Sequence, residues 1–486
     1  MRLGDGSWSV FDAAREAPAE AALTDGDNTL SFAELAERVR ERQRSMDAAF
    51  GAALAPGTLV AVATDAPGAT IEVLLALIER GLPFLPLHPR ATAVEREALL
   101  AGLPVPWLLE PTEAGLAIRP RAATPSPALA ELFSHAPGLA ALATTGSTGA
   151  PRVAVLSRAA FAASAAASAA YLGWQPGDRW LLCLPLAHIG GLSVVTRCLL
   201  ARATIALSAG GSTASSSERL RAAIERARPT LISLVPAQLA GLLELEPPID
   251  LPSSVRVMLT GGAAASPALL ARCAERRWPV STSYGLTEAC SQVATHRPGA
   301  FDRGEPGVGL PLPGVGVHIE NGLIVISGPT LASAYLAPGG LLERIGGEGG
   351  FRTRDLGCID DQGRLHVLGR VGDLIISGGE NVMPWEIESE LASCPGVLEA
   401  CAFGVPDPRW GELIVLGVRT HERDEAALVR ALDERARERL ASYKRPRRYV
   451  CVPEFRYNRT GKLDRAGTLQ MLEALARAGR GRAPSE

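Results

Sequence analysis

Three short polar runs in this chain have the composition to hold a phosphorylated ligand. Ala143-Thr144-Thr145-Gly146-Ser147-Thr148-Gly149-Ala150-Pro151-Arg152 follows the apolar stretch Leu139 to Ala143 and is crowded with hydroxyls and glycines. Glycine opens backbone conformations closed to other residues, and exposed amides beside Ser/Thr hydroxyls can wrap a polyphosphate. The run is not the G-x-x-x-x-G-K-[ST] phosphate loop, and taken alone it also reads as a polar surface loop. Ser283-Tyr284-Gly285-Leu286-Thr287-Glu288 sets a ring that can flank a purine beside a hydroxyl and a carboxylate. Such a carboxylate suits Mg²⁺, which takes one or two protein carboxylates and completes its shell with substrate phosphates. Thr353-Arg354-Asp355-Leu356-Gly357 places an acid between a short predicted strand and a glycine, where it can accept from ribose hydroxyls. Lys462, in Asn458-Arg459-Thr460-Gly461-Lys462-Leu463-Asp464-Arg465, is one of only two lysines among 49 basic residues. A lysine kept where arginine serves almost everywhere else is a candidate for chemistry that needs a compact ammonium rather than a flat guanidinium fork.

The elements that must position these residues alternate along the first two-thirds of the chain. Ser31 with Glu34 is a capping box that opens a helix. Leu59 to Ala63 reads as a buried strand, Thr70 to Arg80 as an apolar helix, and Pro83 to Leu87 as a further strand. Trp180 to Leu184, Ser193 to Leu200 and Ala203 to Leu207 repeat strand, helix and strand. This alternation predicts parallel sheets covered by helices. From about Gly322 short strands between glycines (Leu323 to Ser327, Cys358 to Ile359, Leu365 to Leu368) predict a β-rich section. After Gly369-Arg370-Val371-Gly372-Asp373 strands such as Leu413 to Val418 mix with charged helices such as Glu425 to Leu440, which makes this joint a domain boundary. The expected fold is α/β, with a large N-terminal domain of stacked α/β layers plus the β-rich section (residues 1–371) and a small, mobile α+β C-terminal domain (residues 372–486).

Size and composition narrow the function. A chain of 486 residues exceeds one ordinary domain. Apolar content of 47% with 21% charged residues fits a globular protein. A net charge of −3 gives no basic field for nucleic acid. No apolar run is long enough for a membrane span, and the N-terminal residues lack the pattern of a signal peptide. Eight scattered cysteines with no C-x-x-C pair argue against zinc and disulfide frameworks. The expectation is a cytoplasmic enzyme acting on small molecules; the oligomeric state is not legible here.

In order, Thr144 to Arg152, Pro185-Leu186-Ala187-His188, Tyr284 to Glu288, Thr353 to Gly357, Gly369 to Glu380 and Asn458 to Arg465 resemble the adenylate-forming superfamily of acyl-CoA synthetases, luciferases and adenylation domains. The resemblance spans essentially the whole chain. It implies that a carboxylate attacks the α-phosphate of Mg-ATP and that a thiol, usually coenzyme A, then displaces AMP. It further implies that Thr144, Thr145, Gly146, Ser147, Thr148, Gly149 and Arg152 surround the β- and γ-phosphates. Thr287 would meet the α-phosphate, Tyr284 and Gly285 the adenine, Asp355 the ribose, and Glu288 the Mg²⁺, with Arg370 supporting the nucleotide. Lys462 would bridge the acid and the α-phosphate, and a swing of the small domain about Gly372 would then withdraw it. Gly378 and Gly379 would meet the pantetheine arm. Two departures stand out: the family's usual Pro-Lys-Gly is Pro151-Arg152-Val153 here, and Gly372 replaces the usual polar hinge residue.

Leu184-Pro185-Leu186-Ala187-His188-Ile189-Gly190-Gly191-Leu192-Ser193, with Arg197 at the end, is similar to the matching segment of o-succinylbenzoate–CoA ligases of menaquinone biosynthesis. That resemblance implies an acyl pocket formed by His188, Gly261 and Arg197. The acid of that reaction has a second carboxylate, and a buried charge needs a partner. Arg197 either supplies that cation or snorkels from the outer face of its helix. His188 either lines the pocket or packs in the core. A ligase for another aryl or medium-chain acid, and an adenylation protein loading a carrier protein, are the alternative readings.

Overall fold

In Trp180-Leu181-Leu182 successive side chains enter different cores. Trp180 and Leu182 join one apolar cluster and Leu181 another. Val60 and Val62 likewise part from Leu59 and Ala61. A strand buried on both faces needs helices on both, which is the condition for a parallel sheet. The computed structural model of the chain describes residues 7–50, 54, 57–144, 152–208, 216–298, 304–457 and 463–475 and meets that condition in two sheets.

The larger sheet has nine strands, in the order Leu310–Pro311, Ser291–Thr295, Val280–Leu286, Val257–Thr260, Leu231–Leu234, Arg179–Leu182, Thr204–Leu207, Ala21–Thr24 and Thr29–Ser31. From Ala21–Thr24 to Val280–Leu286 all neighbours are parallel; Ser291–Thr295 then turns antiparallel. The second sheet has eight strands, among them Phe84–Leu87, Val60–Ala63, Gly138–Thr144 and Arg152–Ser157. Between the two sheets lie the helices Pro67–Glu79, Arg158–Leu172 and Ile189–Ala201, whose buried residues share one cluster with Val60, Leu142, Trp180 and Val257. The outer faces carry separate clusters, so the layers stack as helix, sheet, helix, sheet, helix.

The β-rich section is a four-stranded antiparallel sheet, Gly316–Glu320, Leu323–Ser327, Phe351–Ile359 and Leu365–Arg370. It differs from the sequence expectation in one respect. Asp355 does not follow a short strand but sits within the nine-residue strand Phe351–Ile359, where the register shifts between Leu356 and Gly357. The last sheet begins at Ile375–Ser377 and is centred on Gly411–Arg419, with its own core around Ile414, Leu416, Leu432 and Tyr449. Among the described residues, no helix is long and apolar enough to cross a membrane.

The predicted helix Ser193 to Leu200 starts earlier, at Ile189, with His188 as its N-cap residue. Gly190 and Gly191, which precede the predicted start, therefore form its first turn. The reason is close packing: a Cβ on Gly191 would lie 2.3 Å from the Pro185 carbonyl oxygen, so only glycine lets the helix begin against that backbone.

Candidate active site

In open α/β sheets ligands bind outside the carboxyl ends of the strands. Tyr284 and Gly285 lie at that end of Val280–Leu286, and the chain then enters a 3₁₀ turn, Thr287–Ala289. The return into Ser291–Thr295 passes through Cys290 at φ 52° and Ser291 at φ 91°. Non-glycine residues rarely adopt this region, and it is strained backbone of a kind that clusters at functional sites.

Tyr284 reaches across to the β-rich sheet. Its hydroxyl donates to Asp355 Oδ2 at 2.7 Å, and Arg370 Nε lies 2.9 Å from Asp355 Oδ1. The strand register makes this possible, because Asp355 and Arg370 are direct partners. Burial, with the Asp355 carboxylate beside it, pushes the Tyr284 hydroxyl well above the usual phenol range, so it remains a donor. Three residues that the sequence placed at one nucleotide site thus meet from separate segments.

Glu288 Oε1 accepts from the Tyr335 hydroxyl at 2.7 Å. The face of the Tyr335 ring carries the Arg152 guanidinium at 3.6 Å, and Arg152 also pairs with Glu343. Burial and the Glu288 charge raise the Tyr335 hydroxyl above the phenol range. Sequence reasoning missed Tyr335, a single tyrosine in the short strand Ala334–Leu336; nothing local marks it, since Glu288 is 47 residues away. Among the described residues no group of three or more His, Cys, Asp or Glu side chains could hold a metal by itself. A single carboxylate with one oxygen engaged and the other without a described partner fits Mg²⁺ that takes its remaining ligands from phosphates and water.

Thr144 and Arg152 end two paired antiparallel strands, and the Thr144 hydroxyl donates to the Arg152 carbonyl at 3.2 Å. The intervening Thr145, Gly146, Ser147, Thr148 and Gly149 lie outside the described residues, as does Lys462. Tyr457 and Leu463, which flank the lysine segment, form an antiparallel bridge. The other lysine, Lys444, pairs with Glu386 at 2.7 Å.

Next to the strand that ends at Thr144 is a cavity lined by Leu87, His88, Leu99, Ala143, Ala187 and His188. The rings of His88 and His188 are 5.0 Å apart and tilted by 51°. Gly261 follows Val257–Thr260 and packs on the strand of Tyr284; a Cβ there would be 2.7 Å from Ser283 Oγ.

Arg197 does not snorkel. It is 3% exposed, on the face of Ile189–Ala201 turned to Ser164 and Cys290. Its Nη2 donates to Ser164 Oγ at 3.4 Å, Ser164 Oγ donates to the Cys290 carbonyl at 2.6 Å, and its guanidinium lies 5.5 Å from the Trp180 ring. Its Nε has no partner among the described residues. Burial lowers its pKa to about 10, which still leaves a cation at neutral pH. Gly372, Gly378 and Gly379 all have positive φ, at 107°, 63° and 83°, and the Gly378 amide donates to the Trp410 carbonyl at 2.8 Å.

Residues 139–336 match the AMP-binding enzyme family, and residues 386–462 match the AMP-binding enzyme C-terminal domain. A 2-succinylbenzoate–CoA ligase of Listeria monocytogenes is 31% identical over 461 residues, covering 93% of this chain and 96% of the relative. The structure of the Bacillus subtilis o-succinylbenzoate CoA synthetase with the acyl-adenylate intermediate superposes with a TM-score of 0.77 at 29% identity, covering 94% of this chain and 97% of that one. The same synthetase in complex with ATP and magnesium ion gives a TM-score of 0.77 at 29% identity, over 95% and 99% of the two chains.

Proposed function

The chain belongs to the AMP-binding enzyme family, and on that premise we propose that it joins 2-succinylbenzoate to coenzyme A through an acyl-adenylate. An oxygen of one of the acid's two carboxylates attacks the α-phosphorus of ATP, forming the C–O–P linkage and expelling pyrophosphate. The coenzyme A sulfur then attacks the acyl carbon. The C–S bond forms, the acyl C–O bond breaks, AMP leaves, and the thiol proton passes to solvent. Mg²⁺, when bound through Glu288, neutralises phosphate charge.

The protein's own groups do the positioning that such chemistry requires. Asp355 already accepts from Tyr284 and Arg370, yet a carboxylate offers about four acceptor sites, so a ribose diol can share it. Tyr284, fixed by that bond, presents its ring to adenine. Thr287 follows on the same turn, in reach of the first phosphate. Arg152 keeps the positive charge of the lysine it replaces, but its flat fork is docked on Tyr335 and Glu343. Thr144 to Gly149 contribute hydroxyls and amides to the outer phosphates, and Lys462 links the acid's oxygen to the α-phosphate. Residues 1–371 would form the body and 372–486 the lid, turning about Gly372, with Gly378 and Gly379 beside the thiol arm. Cytoplasmic residence belongs to the same proposal, and eight free thiols support it.

The observation that carries the choice of acid is Arg197, a buried cation with no anionic partner among the described residues. The second carboxylate of 2-succinylbenzoate would supply the partner, with His188 and Gly261 lining the pocket ahead of it. Coenzyme A-dependent AMP release should be fast with 2-succinylbenzoate and weak with benzoate or octanoate; equal rates would refute the assignment. Lys462→Ala should cripple adenylate formation far more than thioester formation from supplied acyl-adenylate, and equal losses would remove its role.

A further inference from the structure

The strand Ala334–Leu336 is short, yet it lies between two others. It pairs antiparallel with Arg152–Ser157 on one side and with Leu342–Arg344 on the other, and Tyr335 stands opposite both Ala154 and Glu343. Residues directly opposite one another share a face of the sheet, and so does Arg152, two positions before Ala154. The register therefore gathers Arg152, Tyr335 and Glu343 on one face, with the guanidinium over the ring and paired to the acid. The tyrosine beneath is only 8% exposed.

The same segment grips Glu288 twice. The Glu288 carbonyl accepts from the Ala332 amide at 2.8 Å, and its Oε1 accepts from the Tyr335 hydroxyl at 2.7 Å. A half-buried glutamate on a 3₁₀ turn would otherwise be free to rotate about its long side chain. Fixing it before a ligand arrives removes that ordering cost from binding. The bond also spends Oε1 on a donor, which weakens that oxygen as a metal ligand and leaves Oε2 to act alone. Mg²⁺ demands a small octahedral shell, whereas Ca²⁺ takes more oxygens and accepts both from one carboxylate. A carboxylate with one oxygen already engaged therefore discriminates between the two ions.

We propose that Tyr335 is a positioning residue that sets the metal preference of the ATP site: its hydroxyl holds Glu288 so that a single oxygen is offered to the ion, which favours Mg²⁺ over Ca²⁺. This rests on the reading of Glu288 given above. The ring serves Arg152 and the hydroxyl serves Glu288, so the two contributions separate cleanly by substitution.

Tyr335→Phe keeps the aromatic face under Arg152 and removes only the hydroxyl. The test is calorimetric binding of ATP to full-length wild type, Tyr335→Phe, Glu288→Gln and the double variant, with Mg²⁺, Ca²⁺ or EDTA present. Acid and coenzyme A are left out, so no turnover intervenes. Tyr335→Phe should weaken ATP binding with Mg²⁺ by about tenfold while Kd with Ca²⁺ or with EDTA stays within about twofold, as expected when the hydrogen-bond partner of a metal ligand is lost. Glu288→Gln should also lower the Mg²⁺-to-Ca²⁺ preference, and the double variant should lower it no further, since both changes act through one carboxylate. The unfolding temperature of ligand-free Tyr335→Phe should stay close to that of wild type, because Glu288 keeps its backbone anchor at Ala332. A metal preference unaltered by Tyr335→Phe but altered by Glu288→Gln overturns the role of Tyr335 alone. A preference unaltered by Glu288→Gln overturns the metal reading beneath it. A lowered unfolding temperature with equal losses of ATP binding in all three conditions would make Tyr335 a packing residue and also overturn the proposal.

Discussion

Arg197 is held at a cost that the ligand-free fold does not recover. Its pKa, lowered to about 10 by burial, lies below that of an exposed guanidinium. Below about pH 10 both folded and unfolded chains hold the proton, so the penalty is constant and complete at neutral pH. It shrinks only as pH rises through that value, where the folded chain releases a proton that the unfolded chain keeps. Arg197→Met should therefore stabilise the ligand-free protein, by roughly 1–4 kcal/mol if it resembles other replacements of buried charge by an apolar side chain. Urea unfolding at neutral pH checks this, and a destabilised variant would mean that the cation has a partner. The sequence marked Arg197 by its spacing from His188 but left its direction open, because the rotation of a helix is set by what packs on it. Ser164 lies 33 residues away from Arg197 along the chain, and Tyr335 lies 47 from Glu288. Contacts of that kind leave no local pattern to read.

Elements were more legible than their partners. Ser31 and Glu34 do cap one another, and the helix Phe32–Phe50 begins where the capping box predicts. The strand Leu323–Ser327 coincides with its apolar run. The start of Ile189–Ala201 was hidden because a pair of glycines reads as a turn when the neighbouring backbone cannot be seen. Polar residues inside elements were also opaque. Glu72 lies in the middle of the apolar helix Pro67–Glu79 and is 4% exposed, yet it receives Arg42 from the helix Phe32–Phe50 at 2.7 Å. The same arginine donates to the Thr112 carbonyl at 3.2 Å, which joins two helices and a strand at one point. Removing one member of such a pair leaves a bare buried charge, so Glu72→Ala should cost about 3–5 kcal/mol in chemical unfolding. Replacing both, as Arg42→Met with Glu72→Met, should cost far less. If the double variant is as unstable as the single one, lost packing and not the stranded arginine is responsible.

At the scale of the molecule one chain of contacts ties the lysine-bearing end of the proposed lid to the body. The Tyr457 hydroxyl donates to Glu399, which accepts from Arg419 Nε at 2.8 Å, and Arg419 Nη2 donates to Glu244 at 2.9 Å. Glu244 caps the C-terminal end of Pro236–Leu243 in the body, and Arg419 ends the central strand of the last sheet. Between the two parts Gly372 stands at φ 107°. Both features belong to this one arrangement, although nothing in their local sequence links them. A non-glycine residue held in such a region costs about 1–3 kcal/mol, so Gly372→Ala penalises any arrangement that needs a positive φ there. Glu244→Ala penalises the same arrangement by a different route, through loss of a partly buried ion pair. The two variants should therefore shift the ratio of adenylate formation to thioester formation in the same sense, by about fivefold or more each if the free-energy cost falls on one half-reaction. Pyrophosphate exchange measures the first step, and thiol capture of supplied acyl-adenylate measures the second. Shifts in opposite senses would mean that glycine and ion pair serve different arrangements. No shift from Gly372→Ala would place the pivot of the lid elsewhere along the joint.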